Sequence, residues 1–312
     1  MKPPTEPPPS PLLTFCIVAA CSICFCTKGV FAKLAYAEGA DSITVLALRM
    51  GMALPVFLAV GWWSHRGNPP ATSTRDWLML GLLGFLGYYL SSYVNFYGLQ
   101  FISVGLERMV LYTYPCLVLI GSAVFYGQRI RPAVWIAAAI AYAGIVCAFA
   151  GEAMQGRGTR SDLLLGTGLV FLSALTYAWF ILVSGEMLRR IGPAAFTSRV
   201  VGISCVMILL HYCAVRPVPH LFVLSGKVYA CGAALALLGT VVPSYLLSTG
   251  LKRAGAQRFA VIGTVGPVTT IVLAWLVLGE ALQVWQMAGF LLSLGGGLAV
   301  SLLKDKAASP RP

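Results

Sequence analysis

The sequence repeats part of itself at a fixed offset, and this repeat limits the possible folds more than any other feature. Tyr93 recurs as Tyr245, and 245 − 93 = 152. The other residues that recur at this offset are Gly98, Leu99, Pro115, Gly127 and Gly144, with counterparts Gly250, Leu251, Pro267, Gly279 and Gly296. An odd number of long apolar segments separates the copies, so the second copy must enter a membrane in the opposite orientation. Inverted repeats are typical of secondary transporters, and the repeat therefore predicts a mechanism as well as a fold.

The composition requires lipid as the solvent. Hydrophobic residues make up 58% of the 312 residues and charged residues only 10%, and the mean hydropathy is +0.83. A helix needs about 20 apolar residues to cross a bilayer, and ten stretches meet this requirement. We therefore predict an all-α integral membrane protein with ten transmembrane helices in two inverted five-helix repeats. The predicted spans are 12–35, 42–63, 77–99, 104–126, 132–150, 163–188, 195–215, 228–250, 257–278 and 284–303.

These spans and their short connectors account for nearly the whole chain. We predict a proline-rich, disordered cytoplasmic tail at 1–11, a first five-helix repeat at 12–150, a second, inverted repeat at 163–303 and a cytoplasmic tail at 304–312. No extramembrane domain is left over. The function is therefore expected inside the membrane.

The excess of basic residues indicates orientation and not a nucleic-acid partner. The formal net charge is +12, from 22 Lys and Arg against 10 Asp and Glu. With the N-terminus inside, fourteen basic residues fall in cytoplasmic segments and four in outer loops. Positive charge concentrates in cytoplasmic loops. Both termini are therefore expected in the cytoplasm, in a multi-pass protein of the inner (plasma) membrane, and no nucleic acid is expected as a partner.

Two prolines predict matched kinks. Pro115 and Pro267 lie near the middle of the fourth and ninth spans. Proline lacks the amide hydrogen and crowds the carbonyl four residues earlier, so a helix bends there. Because a freed carbonyl needs a partner in lipid, the matched pair favours two hinges beside a central cavity. The alternative is that both kinks are structural.

The paired motifs resemble those of a known family. Tyr97-Gly98-Leu99 and Tyr114-Pro115 in the first half, with Gly250-Leu251, Gly266-Pro267 and Leu278-Gly279-Glu280 in the second, are similar to the signature of the drug/metabolite transporter superfamily, EamA type. The resemblance covers residues 12–303. It implies ten helices and export of a metabolite or an amino-acid-like solute. The chain departs from the pattern at Gln128, where the family has Glu, and at Glu107-Arg108, where small or apolar residues are usual.

Ionisable residues inside the spans are candidates for the substrate site. A charge in lipid costs a few kcal/mol or more, so it needs a partner. Lys28 lies about 24 Å into the first span at about 1.5 Å per residue, a depth compatible with a pair to Glu107 in the fourth span. Such a Lys28 would hold an anionic group, and Glu107 would carry a proton or engage an ammonium. The alternative is that Lys28, Lys33 and Arg108 snorkel to the outer headgroups and Glu107 balances them. Arg49 is expected to cap a helix or pair locally.

Tyrosines complete the predicted site. Tyr89 and Tyr93 share one helix face with Phe96 and Tyr97, and a stripe of this kind either packs against other helices or lines a cavity. The matched Tyr93 and Tyr245 are the strongest lining candidates. The predicted substrate-binding residues are Lys28, Tyr89, Tyr93, Glu107, Tyr112, Tyr177 and Tyr245.

The sequence favours a secondary transporter that moves a small organic solute by alternating access. Cys21-x-x-Cys24 with Cys26 has the look of a metal motif but lacks an accompanying histidine, so neither a metal nor another cofactor is expected. No nucleotide-binding motif appears, which argues against direct ATP drive. Proton coupling and oligomeric state are left open. The competing classes are a membrane-embedded enzyme, which would need a polar catalytic cluster, and a channel-like facilitator.

Overall fold

The protein is built from helices that follow one another through short turns. A computed structural model describes residues 11–65, 73–127, 132–154, 159–262, 265–279 and 284–308, and its regular elements in these ranges are all helical. The α-helices are α1 (Pro11–Ala37), α2 (Ser42–His65), α3 (Thr74–Gly84), α4 (Ser91–Gly98), α5 (Val104–Leu111), α6 (Tyr114–Tyr126), α7 (Pro132–Met154), α8 (Arg160–Ile191), α9 (Pro193–Val215), α10 (Gly226–Ala236), α11 (Val242–Ile262), α12 (Val265–Leu278) and α13 (Val284–Ala308).

Within the described ranges, seven helical segments are long and apolar enough to cross a membrane. They are Leu12–Ala37, Ser42–Ser64, Thr74–Gly98, Val104–Phe125, Arg160–Ile191, Pro193–Val215 and Gly226–Ala254. Two further apolar helices are shorter. Trp135–Gly151 lies between the fourth and fifth of these segments, and Met287–Gly296 lies after the seventh. The predicted all-helical membrane fold is confirmed, whereas the count of ten spans and the side of the termini stay predictions. Most of the two predicted tails, 1–10 and 309–312, lies outside the described residues, and α13 continues past the predicted span end at 303 to Ala308.

Two π-helical segments interrupt the repeats at matched positions. Phe85–Leu90 joins α3 to α4, and Leu237–Val241 joins α10 to α11. They begin 152 residues apart, at the offset of the sequence repeat. A π-turn inserts an extra residue into a helix and occurs frequently at functional sites. The repeat therefore extends to an irregularity of the backbone that no local motif of the sequence indicated.

Contacts between helices also recur at the offset of the repeat. A β-carbon added at Gly98 in α4 would lie 3.0 Å from Val170 in α8, and one added at Gly250 in α11 would lie 3.1 Å from Val18 in α1. Val18 and Val170 are again 152 residues apart. Each half thus sends its first long helix across to the other half, and the two crossings are equivalent.

The fourth predicted span breaks next to Pro115. Helix α5 ends at Leu111, Tyr112 and Thr113 form a turn, and α6 begins at Tyr114 with Pro115 in its first turn. Proline is tolerated there because a first-turn amide has no intrahelical acceptor. The kink predicted here is present. Its counterpart Pro267 lies in α12, but residues 263–264 before it, and its own side chain, lie outside the description.

Helices α7 and α13 pack backbone against backbone. A β-carbon added at Gly144 would lie 2.5 Å from the Ser293 amide nitrogen, and one added at Gly296 would lie 2.5 Å from the Ala141 amide nitrogen. Small residues at such contacts let helices approach closely in lipid, where burial of apolar surface does not drive association. Gly144 and Gly296, which correspond at the offset of 152, therefore both lie at the contact between these two helices.

Replacing Gly144 with valine should separate these helices, because the new side chain would occupy the position of the α13 backbone. We expect Gly144→Val to lower the melting temperature of the purified protein in detergent by about 3–6 °C, the effect of about 1–3 kcal/mol of overpacking. Thermal unfolding followed by intrinsic fluorescence measures this.

Gly168→Val in α8 is the matched control, since a β-carbon at Gly168 meets nothing within 4 Å. Its melting temperature should stay within about 1 °C of the parent. Equal shifts for both variants would contradict close α7–α13 packing.

Candidate functional site

A cavity of about 120 Å³ lies where the two halves meet. One water molecule in the liquid occupies about 30 Å³, so the cavity has room for several. Its charged lining residues are Lys28, Arg49 and Arg108, its hydroxyl-bearing ones Ser22, Ser91, Ser92, Ser173, Tyr88, Tyr112, Tyr114 and Tyr177, and its other rings Phe25 and Phe259. Polar groups fixed in an apolar wall are typical of a site for a small ligand.

A hydrogen-bonded chain connects Lys28 to Glu107 through Asn95. The Lys28 Nζ donates to Asn95 Oδ1 at 2.9 Å, and Asn95 Nδ2 donates to Glu107 Oε1 at 2.7 Å. Only this orientation of the amide serves both neighbours, since its oxygen faces the cation and its nitrogen the carboxylate. Lys28 and Glu107 were predicted to pair, and the structure brings them together by way of Asn95. Glu107 is fully buried behind the amide and is not among the residues described as lining the cavity.

Arg108 shares the carboxylate of Glu107. Its Nε lies 3.5 Å from Glu107 Oε2, and its Nη2 donates to the Phe25 carbonyl at 3.0 Å. The Phe25 contact ties α5 to α1. Arg108 is buried, so the side chain does not snorkel to the lipid surface, as the alternative reading of the sequence required.

Arg49 reaches the second half of the chain. Its Nε donates to Thr240 Oγ1 at 2.5 Å, and its Nη2 lies 3.5 Å from the Gly239 carbonyl oxygen. Thr240 lies 191 residues further along the chain, so the expected local pairing of Arg49 was wrong. The guanidinium and the Lys28 ammonium both stand over the Phe96 ring, at 5.2 and 5.5 Å from its centroid.

The repeat is broken at Lys28. A β-carbon on Gly87 would lie 2.5 Å from the ring of Phe180, and one on the equivalent Gly239 would lie 3.8 Å from Lys28 Cβ. Lys28 and Phe180 are 152 residues apart. The equivalent glycines of the two π segments thus face different side chains. Gly239 faces the stem of Lys28, and Gly87 faces the ring of Phe180.

A pair of contacts beside the cavity follows the repeat. Ser91 Oγ lies 3.0 Å from Ser173 Oγ, and Cys21 Sγ donates to the Pro243 carbonyl at 3.4 Å. Ser91 corresponds to Pro243 and Cys21 to Ser173 at the offset of 152. Each contact joins one half of the chain to the other, so the cavity lies between equivalent seams.

Two of the predicted tyrosines line the cavity. Tyr112 and Tyr177 do so, and Tyr112 Oη has no hydrogen-bond partner among the described residues. Tyr114 packs edge-on against both, with ring centroids 5.9 Å from Tyr112 and 5.5 Å from Tyr177. Tyr88 and Tyr114 also line the cavity, although the sequence analysis did not select them as site residues.

The other three predicted tyrosines lie elsewhere. Tyr89 Oη lies 3.1 Å from His211 Nδ1, and the Tyr93 ring packs against the same histidine at 4.8 Å. Tyr245 Oη lies 2.7 Å from Ser198 Oγ. None of the three is among the residues described as lining the cavity. The lining face of this span carries Tyr88, one position earlier than predicted.

Ion pairs join the halves at both ends of the helices. At the end where α1 finishes, Lys227 Nζ donates to Glu38 Oε1 at 2.8 Å, and Arg216 contacts Asp41 Oδ2 through Nη2 at 2.6 Å and Nε at 3.1 Å. At the end where α3 starts, Arg190 pairs with Asp76. In each of these pairs the two partners come from different halves of the chain.

The carboxyl groups at the α1 end are tuned to stay charged. The hydrogen bond from Lys227 lowers the pKa of Glu38. Burial by itself would raise the pKa of Asp41, but hydrogen bonds from Thr44 and Arg216 outweigh it and lower the value. A lowered pKa keeps a carboxylate charged at neutral pH, and its contribution is lost only as the pH falls through that value.

Comparisons with known proteins identify the family. The model of the EamA-like transporter family matches residues 12–150 and again residues 164–302. The chain belongs to the EamA-like transporter family. The resemblance to the drug/metabolite transporter superfamily is thereby confirmed, and this EamA-like chain is a multi-pass membrane transporter.

Curated relatives of this EamA-like chain carry transporter names. Uncharacterized transporter YcbK of Bacillus subtilis is 28% identical over 276 residues, which is 86% of each chain. An uncharacterized transporter of Synechocystis is 24% identical over 327 residues and covers 96% of this chain and 95% of its own length. A solved crystal structure with 19% identity matches with a TM-score of 0.68 over 96% of this chain and 100% of the other, and it shares the fold.

The bridging role of Asn95 can be tested by removing its amide. In Asn95→Leu, both Lys28 and Glu107 lose a buried hydrogen-bond partner, which costs about 1–3 kcal/mol for each group left unsatisfied. We expect a melting temperature well below that of the parent in detergent, measured by intrinsic fluorescence.

Ser122→Ala serves as control, because it removes a hydrogen bond of 2.8 Å to the Val118 carbonyl within one helix. This variant should unfold close to the parent temperature. Unchanged stability in Asn95→Leu would mean that the chain from Lys28 to Glu107 does not hold these helices together.

Proposed function

We propose that the protein is a secondary transporter that exports a small organic metabolite, amino-acid-like or anionic, across the inner membrane by alternating access. Ten spans with both termini in the cytoplasm would carry this function, and the cavity around Lys28 would hold the solute. The observation that supports the proposal best is the position of the cavity between two seams that the repeat makes equivalent. Transport folds of this kind place the substrate at the interface of their repeats.

Alternating access needs a gate at each end of the cavity, and ion pairs between the two halves lie at both ends of the helices. Glu38 at the end of α1 and Arg190 at the end of α8 are 152 residues apart. Their partners Lys227 and Asp76 lie in the first turns of α10 and α3. Glu38 and Arg190 thus occupy equivalent places with the charges exchanged, and their partners lie one position away from the offset, since 227 − 76 = 151.

The strength of these pairs suits a gate. The side chains of Arg190 and Lys227 are 48% and 79% exposed, and exposed pairs contribute about 0–1 kcal/mol each. Contacts of this size bias a conformational equilibrium without locking it. Opening one end would break the pairs at that end and leave those at the other intact.

Transport in proteoliposomes tests the proposal. The purified protein, reconstituted and loaded with labelled amino acids, nucleosides or organic acids, should release at least one class faster than protein-free vesicles, measured with and without a pH gradient. Lys28→Met should reduce this flux at least tenfold while the protein still inserts and elutes as one species, because the cavity loses a charge that contacts the solute.

Lys33→Met is the matched control, since Lys33 lies on the same helix and does not belong to the described cavity lining. It should retain most of the flux. Chemical conversion of a solute without net flux would contradict a transporter and favour a membrane enzyme. A flux that is unaltered in Lys28→Met would remove Lys28 from the site.

A further inference from the structure

The charges that surround the cavity do not balance. Three cations line it, Lys28, Arg49 and Arg108, and no acidic side chain is found among its described lining residues. The nearest carboxylate, Glu107, is fully buried behind Asn95. Within the part of the chain that the structure describes, one acid against three cations leaves two positive charges without a counter-charge.

The partners of each cation show where the excess lies. Arg108 has the carboxylate of Glu107 at 3.5 Å. Among the described residues, the hydrogen-bond acceptor of Lys28 is the neutral amide of Asn95, and those of Arg49 are neutral oxygens of the second half. The Arg49 Nη1 has no hydrogen-bond partner among the described residues, although Arg49 is just 3% exposed. Lys28 and Arg49 therefore hold the uncompensated charge.

These two cations stand over the same aromatic ring. Both lie within 5.5 Å of the centroid of the Phe96 ring. A buried charge without a counter-charge is costly, and two of one sign repel each other. A solute with two negative charges would satisfy both at once, and the guanidinium fork of Arg49 suits a carboxylate.

The same wall is unsuited to an ammonium group. An amino acid would bring its ammonium among three cations, and none of the described lining residues offers a carboxylate to receive it. Hydroxyl groups, in contrast, find partners in Ser91, Ser92 and Tyr112. Electrostatic mismatch of this kind discriminates between ligands of similar size.

Resting on the proposed transport function, we infer that the cavity selects small organic dianions, such as dicarboxylates, and rejects the amino acids of the same carbon skeleton. The cavity of about 120 Å³ has room for several water molecules and thus for a small solute. The selection rests on Lys28 and Arg49 of the first half, whose counterparts at the offset of 152 are the uncharged Phe180 and Val201.

The test compares malate with aspartate in proteoliposomes. Both have the same four-carbon skeleton and two carboxylates, and malate carries a hydroxyl where aspartate carries an ammonium. We expect counterflow of labelled malate to be at least tenfold faster than that of aspartate, and faster than that of the monocarboxylate lactate. Arg49→Gln should reduce malate flux at least tenfold and reduce the ratio of malate to lactate flux.

Two further measurements guard against a misfolded variant. Arg199→Gln removes another buried arginine that is not among the described lining residues, and it should keep malate flux within twofold of the parent. Malate should also raise the melting temperature of the parent protein in detergent, where aspartate at the same concentration should not.

The outcomes separate the inference from the transport function. Equal or faster flux of aspartate would overturn the selection of dianions while transport stands. Flux of nucleosides or neutral amino acids alone would do the same. No flux of any solute in the panel would overturn both.

Discussion

The structure depends on the cost of placing charge within a membrane. An ionisable side chain there is unfavourable by several kcal/mol unless a partner compensates it. The amide of Asn95 supplies such a partner twice, since it accepts from Lys28 and donates to Glu107. Three helices, α1, α4 and α5, are joined by these two hydrogen bonds. The charge that they leave uncompensated lies on the cavity side, where a solute can reach it.

The repeat supplies the frame in which this charge acts. The π segments and the glycine crossings recur at the offset of 152, and the same offset separates Glu38 from Arg190, which belong to ion pairs at opposite ends of the helices. Because the contacts on both sides of the cavity are equivalent, the two repeats can exchange conformations. Such an exchange would convert a cavity open to one side of the membrane into one open to the other, as alternating access requires. Lys28, facing Gly239 where Phe180 faces Gly87, departs from this symmetry. In the proposed transport cycle, the shared backbone geometry would serve movement, and the side chains that break it would serve recognition.

Much of this arrangement could be predicted from the sequence, because lipid imposes strong rules. Hydropathy predicted the helices, Pro115 the broken span, and the low charge of the spans drew attention to Lys28 and Glu107. Asn95 was missed since a neutral amide in a span carries no comparable signal. Tyr89 and Tyr93 were selected from a regular α-helical projection. The two tyrosines do share a helix face, but that face packs against His211. Tyr88, about 100° around the helix from Tyr89, faces the cavity instead.

The central claim, that the cavity is reached from each side in turn, is tested most directly by the accessibility of Ser92 on its wall. Ser92→Cys, in a chain whose nine cysteines are replaced and which still transports, would be treated with a small sulfonate-bearing thiol reagent from either side of the membrane. The account predicts labelling from both sides, with Glu38→Gln raising the rate at the α1 end and Asp76→Asn raising it at the other. Labelling from one side only, or the same shift in both variants, would contradict it.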